Sequence, residues 1–264
     1  MKNWENRVVW ITGASSGIGK ALALEFSKRK AYVILSSRRE NELVEVQQEL
    51  AHSDMSKILP LDLLDQREFD SLSKKAFDWQ NKLDCLIHSG GVSQRGEAGS
   101  TSLDVDRKIM EVNYFGTIAL TKSVLPLMRK QGYGCFVPIS SIAGKFGFYL
   151  RSAYSASKHA LQGFFESLLL EEAKNNIQVT LIYPGKINTP ISVSAINEKG
   201  EAHGVMDHNQ ETGMSAEVCA LKMISAIEKQ KKEVLIGNKE IKAVKLKRFF
   251  PKLFWKMIAK QSAT

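Results

Sequence analysis

Seven short runs along the chain are almost wholly apolar: RVVWIT (7–12), AYVILS (31–36), KILPL (57–61), LDCLIH (83–88), GCFVPIS (134–140), IQVTLIY (177–183) and EVLIG (233–237). Each has the length of a strand, and none alternates strictly between apolar and polar residues, which marks strands covered on both faces. Stretches of helical period lie between them, at 17–29, 39–52, 65–80, 104–131, 152–175 and 215–230. This alternation predicts an α/β fold built on a doubly wound, parallel, seven-stranded sheet. Thr101 followed by Asp104 offers a capping box for the fourth helix, and Ser215 caps the last.

Two segments depart from the pattern. Residues 186–214 keep no sustained period and are too long for an ordinary connection, so a lid on the substrate side is expected there. After residue 238 the sequence KLKRFFPKLFWKMIAK (245–260) interleaves lysine and arginine with Phe249, Phe250, Leu253, Phe254, Trp255, Met257 and Ile258, while Pro251 interrupts any single long helix. The expected organisation is therefore one domain over 1–238, with its lid at about 186–214, and a basic amphipathic tail over 239–264.

Charge sharpens the view of the tail. The chain of 264 residues carries a net charge of +9, and residues 229–264 hold eleven Lys/Arg against two Asp/Glu. The remainder holds 26 of each sign, so the body is neutral and the tail basic. A basic, aromatic segment suits an anionic membrane surface, and it suits packing on the domain or a partner subunit equally well. No nucleic-acid recognition motif accompanies the charge, which argues against that class of partner. Charges interrupt every apolar run before it reaches the length of a bilayer span, and no secretory signal is expected. Cys85, Cys135 and Cys219 are far apart and odd in number. They offer neither a disulfide framework nor a metal site, and so favour a reducing, cytoplasmic setting with the tail as a candidate for peripheral membrane contact.

Candidate chemistry begins after the first strand, where TGASSGIG (12–19) places Gly13, Gly17 and Gly19, with Ser15, Ser16 and Ile18 between them, in a turn that opens a helix. Such a turn lets backbone amides approach a pyrophosphate at the helix amino terminus. The second strand ends in Ser37, Arg38 and Arg39, where an NAD site would carry a carboxylate for the ribose 2′-hydroxyl. Guanidinium groups suit a 2′-phosphate instead, so NADP(H) is the expected cofactor. Farther on, Tyr154 and Lys158 stand one turn apart in SAYSASKHA (152–160). Leu161, Phe165, Leu168 and Leu169 fall within roughly 60° of the Tyr154 direction, which puts Lys158 in the stripe that should be buried. A lysine there either snorkels to water or has a purpose.

Taken together, TGASSGIG (12–19), NYFG (113–116), SSIAG (140–144), YSASK (154–158) and YPGKINT (183–189) resemble the short-chain dehydrogenase/reductases in order and spacing, over residues 7 to about 237. GGVSQR (90–95), RSAYSASKHALQGFF (151–165) and AINEKGEAHGVMD (195–207) resemble more particularly the dehydrogenase/reductase member 7 subgroup, near the 11β-hydroxysteroid dehydrogenases. The resemblance implies a Rossmann fold, a homodimer or homotetramer, and four catalytic residues. Tyr154 is the implied acid/base, Lys158 lowers its pKa and holds the nicotinamide ribose, Ser141 binds the substrate oxygen, and Asn113 holds a water in a proton relay through Lys158. It also implies cofactor contacts at Asp62 and Leu63, at Gly90 and Gly91, and at Pro184, Gly185, Ile187 and Thr189. Asp62 reads equally well as a strand-end cap. His88-Ser89-Gly90-Gly91 stands where the family commonly has Asn-Asn-Ala-Gly, and His88 reads as a structural replacement.

The chemistry implied is transfer of a hydride to a carbonyl, whose oxygen must then be protonated. Bringing a phenol from a pKa of about 10 to about 7 requires roughly 4 kcal/mol. A lysine ~5 Å away supplies about 3 kcal/mol at an effective dielectric of ~20, so Lys158 nearly suffices and a bound cofactor is expected to complete the activation. Phe146, Phe148, Tyr149 and Leu150, together with the lid, are expected to line an apolar pocket for a lipid- or steroid-like ketone, aldehyde or alcohol. The contrasting reading is a non-catalytic NADPH-binding sensor or scaffold that acts through its tail. Retention of Asn113, Ser141, Tyr154 and Lys158 argues for the enzyme.

Overall fold

The first apolar run forms strand β1 (Val8–Thr12), buried along its whole length. Its side chains divide between the two faces: Val9 and Ile11 join one core, Val8 and Trp10 the other. That division is why the run shows no alternation in sequence, since both faces of the strand are covered. The computed structural model describes residues 3–259. After β1 the chain alternates as expected through α1 (Gly17–Lys28), β2 (Tyr32–Ser36), α2 (Glu40–Gln48), β3 (Ser56–Ile58), α3 (Phe69–Asp78) and β4 (Cys85–His88). Next come α4 (Leu103–Met110), α5 (Gly116–Gln131), β5 (Gly134–Pro138), α6 (Ser152–Glu171), β6 (Ile177–Val179), β7 (Leu181–Pro184), α7 (Ala216–Glu228) and β8 (Glu233–Ile236). Two tail helices follow, α8 (Lys242–Phe249) and α9 (Pro251–Ile258).

The sheet is parallel with order β3-β2-β1-β4-β5-β6, and its strand order reverses between β1 and β4. Ligands of such sheets bind in the crevice at the carboxyl ends of the strands, at that reversal. The core containing Phe26, Leu22 and Met223 lies on the face covered by α1 and α7. The core containing Trp10, Phe136, Leu120 and Phe165 lies on the other.

Six strands rather than seven make the continuous sheet. The expected sixth strand, 177–183, breaks at Thr180, whose N–H donates to Phe136 O (3.0 Å) while that of Leu181 turns to Lys232 O (2.9 Å). The chain thus changes partner at Thr180, and β7 and β8 form a separate parallel pair, joined to the rest by a single bridge between Ile139 and Ile182. The helix expected over 104–131 is also divided, by a π turn at Glu111–Phe115. Ser102, not Thr101, caps α4, its hydroxyl accepting from Val105 N (3.3 Å). Ser215 caps α7 as expected.

Segment 186–214 is closed at its base, where Ile187–Asn188 pairs with Met214–Ser215. Its middle pairs, through Ile196–Asn197, with Gln94–Arg95. The tail packs on the domain through Phe254, fully buried against Phe146 at 5.0 Å between ring centres and joined there by Ile142. Phe249, Phe250, Leu253 and Trp255 remain more than half exposed on the same two helices. The expected tail continues to residue 264, and its last five residues lie outside the described ones. Phe254→Ala is expected to cost about 3 kcal/mol, as truncation of a buried aromatic does. A urea midpoint lowered at unchanged slope would show it.

Candidate active site

Gly13 and Gly17 hold positive φ, 66° and 53°. A Cβ on Gly13 would lie 2.7 Å from Gly90, and one on Gly17 would lie 3.1 Å from Thr189. The turn therefore closes on its neighbours as only glycine permits, and it leads into the amino terminus of α1. Ser16 stands at the N-cap with no side-chain cap hydrogen bond, and its side chain lines the crevice. Bare backbone at a helix amino terminus fits a dinucleotide pyrophosphate.

From this turn a cleft of about 320 Å³ runs to Tyr154. Every residue expected at the cofactor lines it except Gly19 and Asn113. Gly19 packs its bare Cα against the Gly13 carbonyl, which lets α1 approach the turn. Asn113, in the π turn, is fully buried. Its amide donates to Val92 O (2.9 Å) and Ser157 Oγ (3.0 Å), and its Oδ1 accepts from Val92 N (2.8 Å). Its side chain thus ties the strand-end segment to α6. Asp62 lines the cleft while its Oδ1 accepts from Leu64 N (3.0 Å), so it serves the strand-end turn from within the cleft.

At the adenosine end the two arginines differ. Arg39 pairs with Glu42, and this hydrogen bond holds the Glu42 carboxyl below its ordinary value. Arg38 lines the cleft and forms no ion pair among the described residues.

At the chemical end Lys158 is 6 % exposed, and its Nζ donates to Ile139 O (2.9 Å). Burial pushes its pKa down to about 8. The ammonium lies 5.7 Å from the centre of the Tyr154 ring. Burial also raises the Tyr154 pKa above its ordinary value, while the Ser141 hydroxyl, Arg151 and Arg95 pull it back without overcoming that effect. The sequence argument made Lys158 the main group lowering the phenol. In the protein the loss of water around Tyr154 dominates, and two arginines that the argument did not place share the opposing role.

His88 is the structural replacement expected. Thr121 Oγ donates to Thr117 O (2.9 Å), so its contact with His88 Nε2 (2.8 Å) requires the imidazole to carry its proton there. Nδ1 is then a bare acceptor, buried without a partner. Burial, and then the Lys158 charge, take the His88 pKa down to about 3, so the ring is neutral.

Of the four residues expected in an apolar pocket, only Phe148 lines the cleft. Phe146 lies under the tail instead, and Tyr149 is exposed, its hydroxyl 3.4 Å from Glu97. Leu150 takes a left-handed φ of 58°, and this reversal turns the chain into α6. Arg95, Arg151 and, in segment 186–214, Ile191 and Ser194 also line the cleft, with the Arg151 guanidinium carbon 5.9 Å from the centre of the Phe148 ring. The sequence reading missed Arg95 and Arg151, which 56 residues separate in the chain. The one local signal was an arginine at a helix start with no capping side chain of its own.

A family model described as short chain dehydrogenase matches residues 7–200. The chain belongs to the short-chain dehydrogenase family. Its relatives include dehydrogenase/reductase SDR family member 7 proteins. "Dehydrogenase/reductase SDR family protein 7-like" of Anopheles gambiae is 44% identical over 242 residues, 89% of this chain and 76% of that one. "Dehydrogenase/reductase SDR family member 7B" of Mus musculus is 40% identical over 263 residues, 97% of this chain and 81% of that one. A solved short-chain dehydrogenase of Streptomyces avermitilis superposes with a TM-score of 0.82 at 26% identity, over 97% of this chain and 98% of the other. The fold also matches a short-chain dehydrogenase/reductase of Burkholderia phymatum in complex with NAD (TM-score 0.85, 21% identity, 96% of each chain). As a short-chain dehydrogenase the protein is an oxidoreductase that uses a nicotinamide cofactor.

A depressed lysine pKa is also a statement about stability. Below pH ~8 Lys158 is protonated in both the folded and unfolded states, and the cost of burying its charge is fully present. The folded state sheds that proton first as pH rises, so stability increases between about 8 and the unfolded value of ~10.4. Lys158→Met is expected to stabilise the cofactor-free protein by about 2 kcal/mol at neutral pH, a gain that shrinks as pH approaches ~10. Urea titrations at several pH values measure it.

Proposed function

We propose that this short-chain dehydrogenase interconverts a hydrophobic ketone or aldehyde and its alcohol, with NADP(H) as cofactor and Tyr154 as acid/base. The observation that carries the proposal is the convergence of a buried phenol, a serine hydroxyl and a buried ammonium at one end of a cleft whose other end is a glycine cradle. When bound, the nicotinamide supplies or takes the hydride. Ser141 orients the carbonyl oxygen, Tyr154 gives it the proton, and Lys158 stabilises the phenolate that remains. Asn113 supports the relay by positioning, because its side-chain amide is committed to Val92 and Ser157. Tyr154→Phe is expected to leave NADPH binding within about twofold and to lower turnover by 10³ or more. A screen of apolar ketones and alcohols followed by NADPH absorbance supplies the assay, and unchanged turnover would refute the role.

Preference for NADP(H) rests on Arg38. With Arg39 occupied by Glu42, Arg38 is the guanidinium left to meet a 2′-phosphate, and Ser37 offers no carboxylate to repel one. The double change of Ser37→Asp and Arg38→Ala is expected to reverse the NADPH/NADH preference. Dissociation constants for the two cofactors check it by fluorescence titration.

We propose in addition that the tail makes peripheral membrane contact. With Phe254 anchored inward, the aromatic residues left outward are interleaved with the exposed Lys245, Arg248, Lys252 and Lys256, a face suited to an anionic lipid surface. Among the described residues no helix is long and apolar enough to cross a membrane. Co-sedimentation with anionic vesicles, with and without residues 239–264, is expected to retain the intact protein alone. Equal recovery in the supernatant would refute the contact.

A further inference from the structure

The helix that carries Tyr154 begins without a cap of its own. Arg151 stands at the N-cap position of α6, at φ −138° and ψ 39°, with no side-chain cap hydrogen bond. The oxygen it lacks comes from Gln94, 57 residues earlier in the chain and fully buried. Gln94 Oε1 accepts from Ala153 N (2.9 Å) and Tyr154 N (3.4 Å), which are the exposed donors of a first helical turn. Its Nε2 donates to Thr101 Oγ1 (3.0 Å) and Ser152 Oγ (3.4 Å), so the amide cannot rotate without losing bonds on both sides.

The next residue faces the other way along the same short strand. Arg95 is buried, and its guanidinium grips the Asp207 carboxylate in a fork, Nε to Oδ2 at 2.9 Å with Nη2 on the same oxygen. Asp207 belongs to segment 186–214 and is buried in turn. A third group closes the loop: Arg151 Nη2 donates to Asp207 Oδ2 at 2.9 Å. The backbone repeats the connection, since Gly96 N donates to Leu150 O (3.1 Å), beside the left-handed Leu150, and Ile196 N donates to Ser93 O (3.0 Å). The strand Gln94–Arg95 therefore lies between segment 186–214 and the first turn of α6, bonded to both.

We propose that Gln94, Arg95 and Asp207 are positioning residues that make closure of segment 186–214 and orientation of the Tyr154 helix one event. With Asp207 seated, Arg151 is drawn toward segment 186–214 and the first turn of α6 is held against Gln94. With Asp207 withdrawn, the buried Arg95 and the partly buried Arg151 lose their common counter-ion and repel, and the start of α6 is pushed off its cap. A segment that closes only over a correctly seated substrate would then complete the proton donor at the moment of closure. The proposal deepens the reading of Tyr154 as acid/base and rests on it for its catalytic meaning. The mechanical coupling itself stands on the bonds alone.

Amide hydrogen exchange on the full chain with NADPH tests it without turnover. Asp207→Asn keeps the size of the side chain and removes its charge. It is expected to speed exchange by about tenfold both in 186–214 and in the first turn of α6. Asp207→Glu is expected to restore the slow exchange of both segments. Gln94→Leu approaches from the opposite end, and it is expected to speed exchange in 186–214 as well as at Ala153 and Tyr154. Repeating the measurements in Tyr154→Phe separates the two readings, since the coupling should persist there whatever the role of the phenol. Faster exchange confined to 186–214 in Asp207→Asn, with Gln94→Leu altering α6 alone, would overturn the proposal. So would failure of Asp207→Glu to restore either segment.

Discussion

An ammonium held 6 % exposed beside a single backbone carbonyl is costly to bury, and much of the architecture around it is arranged to keep it there. Ile139 O, which accepts from Lys158, belongs to a residue just beyond β5 that is itself fixed twice: its N–H donates to His88 O (3.0 Å), and its backbone bridges Ile182. The acceptor is thus part of the sheet edge rather than of a loop. Lys158 is carried on the sheet-facing stripe of α6, where Leu161, Phe165 and Leu168 supply the burial that offsets the charge. A side chain that weakens the fold and is still packed on this scale is one that a site uses, because stability and a preorganised site pull against each other.

That constraint explains why irregular backbone gathers around α6. Its amino end is entered through Leu150 in a left-handed conformation, and its middle meets the π turn through Asn113 and Ser157. Both features place groups that a regular helix could not deliver. The π turn brings the Asn113 amide against the Val92 backbone, and the reversal at Leu150 leads directly into Arg151, which lines the cleft. Strained or irregular backbone persists where surrounding bonds over-determine it, and here those bonds come from Gln94, Gly96 and Val92, all within one segment after β4. The neutral His88 at the end of β4 adds no second cation beside Lys158, which an ionised imidazole there would.

What the sequence revealed follows from the range of each interaction. Strand runs, helical faces, the glycine turn and the pairing of Tyr154 with Lys158 are local patterns of two to eight residues, and they were legible. The break at Thr180 was not, because it depends on which neighbour accepts one N–H, and that neighbour lies across the sheet. Arg95 and Asp207 were opaque for the same reason: 112 residues separate two groups whose meeting requires β4, α6 and segment 186–214 to be in place together. Phe146 shows the opposite error. Its neighbour Phe148 does line the cleft, yet Phe146, stacked on that ring at 4.8 Å, lies behind it under the tail and meets Phe254.

Of the two roles that composition left open for the tail, packing on the domain is the one seen, through Phe254 against Phe146 and Ile142. Residue 254 faces the domain and is buried, while 249, 250, 253 and 255 face out, so packing and exposure divide the same eight-residue helices between them. Packing also reaches the cofactor end. Glu240, just before α8, accepts from Lys186 N and from Asn238 N, both at 3.0 Å, and thereby holds the turn after Pro184 that borders the cleft. One carboxylate, that of Glu240, thus joins the start of the tail to the turn beside Gly185.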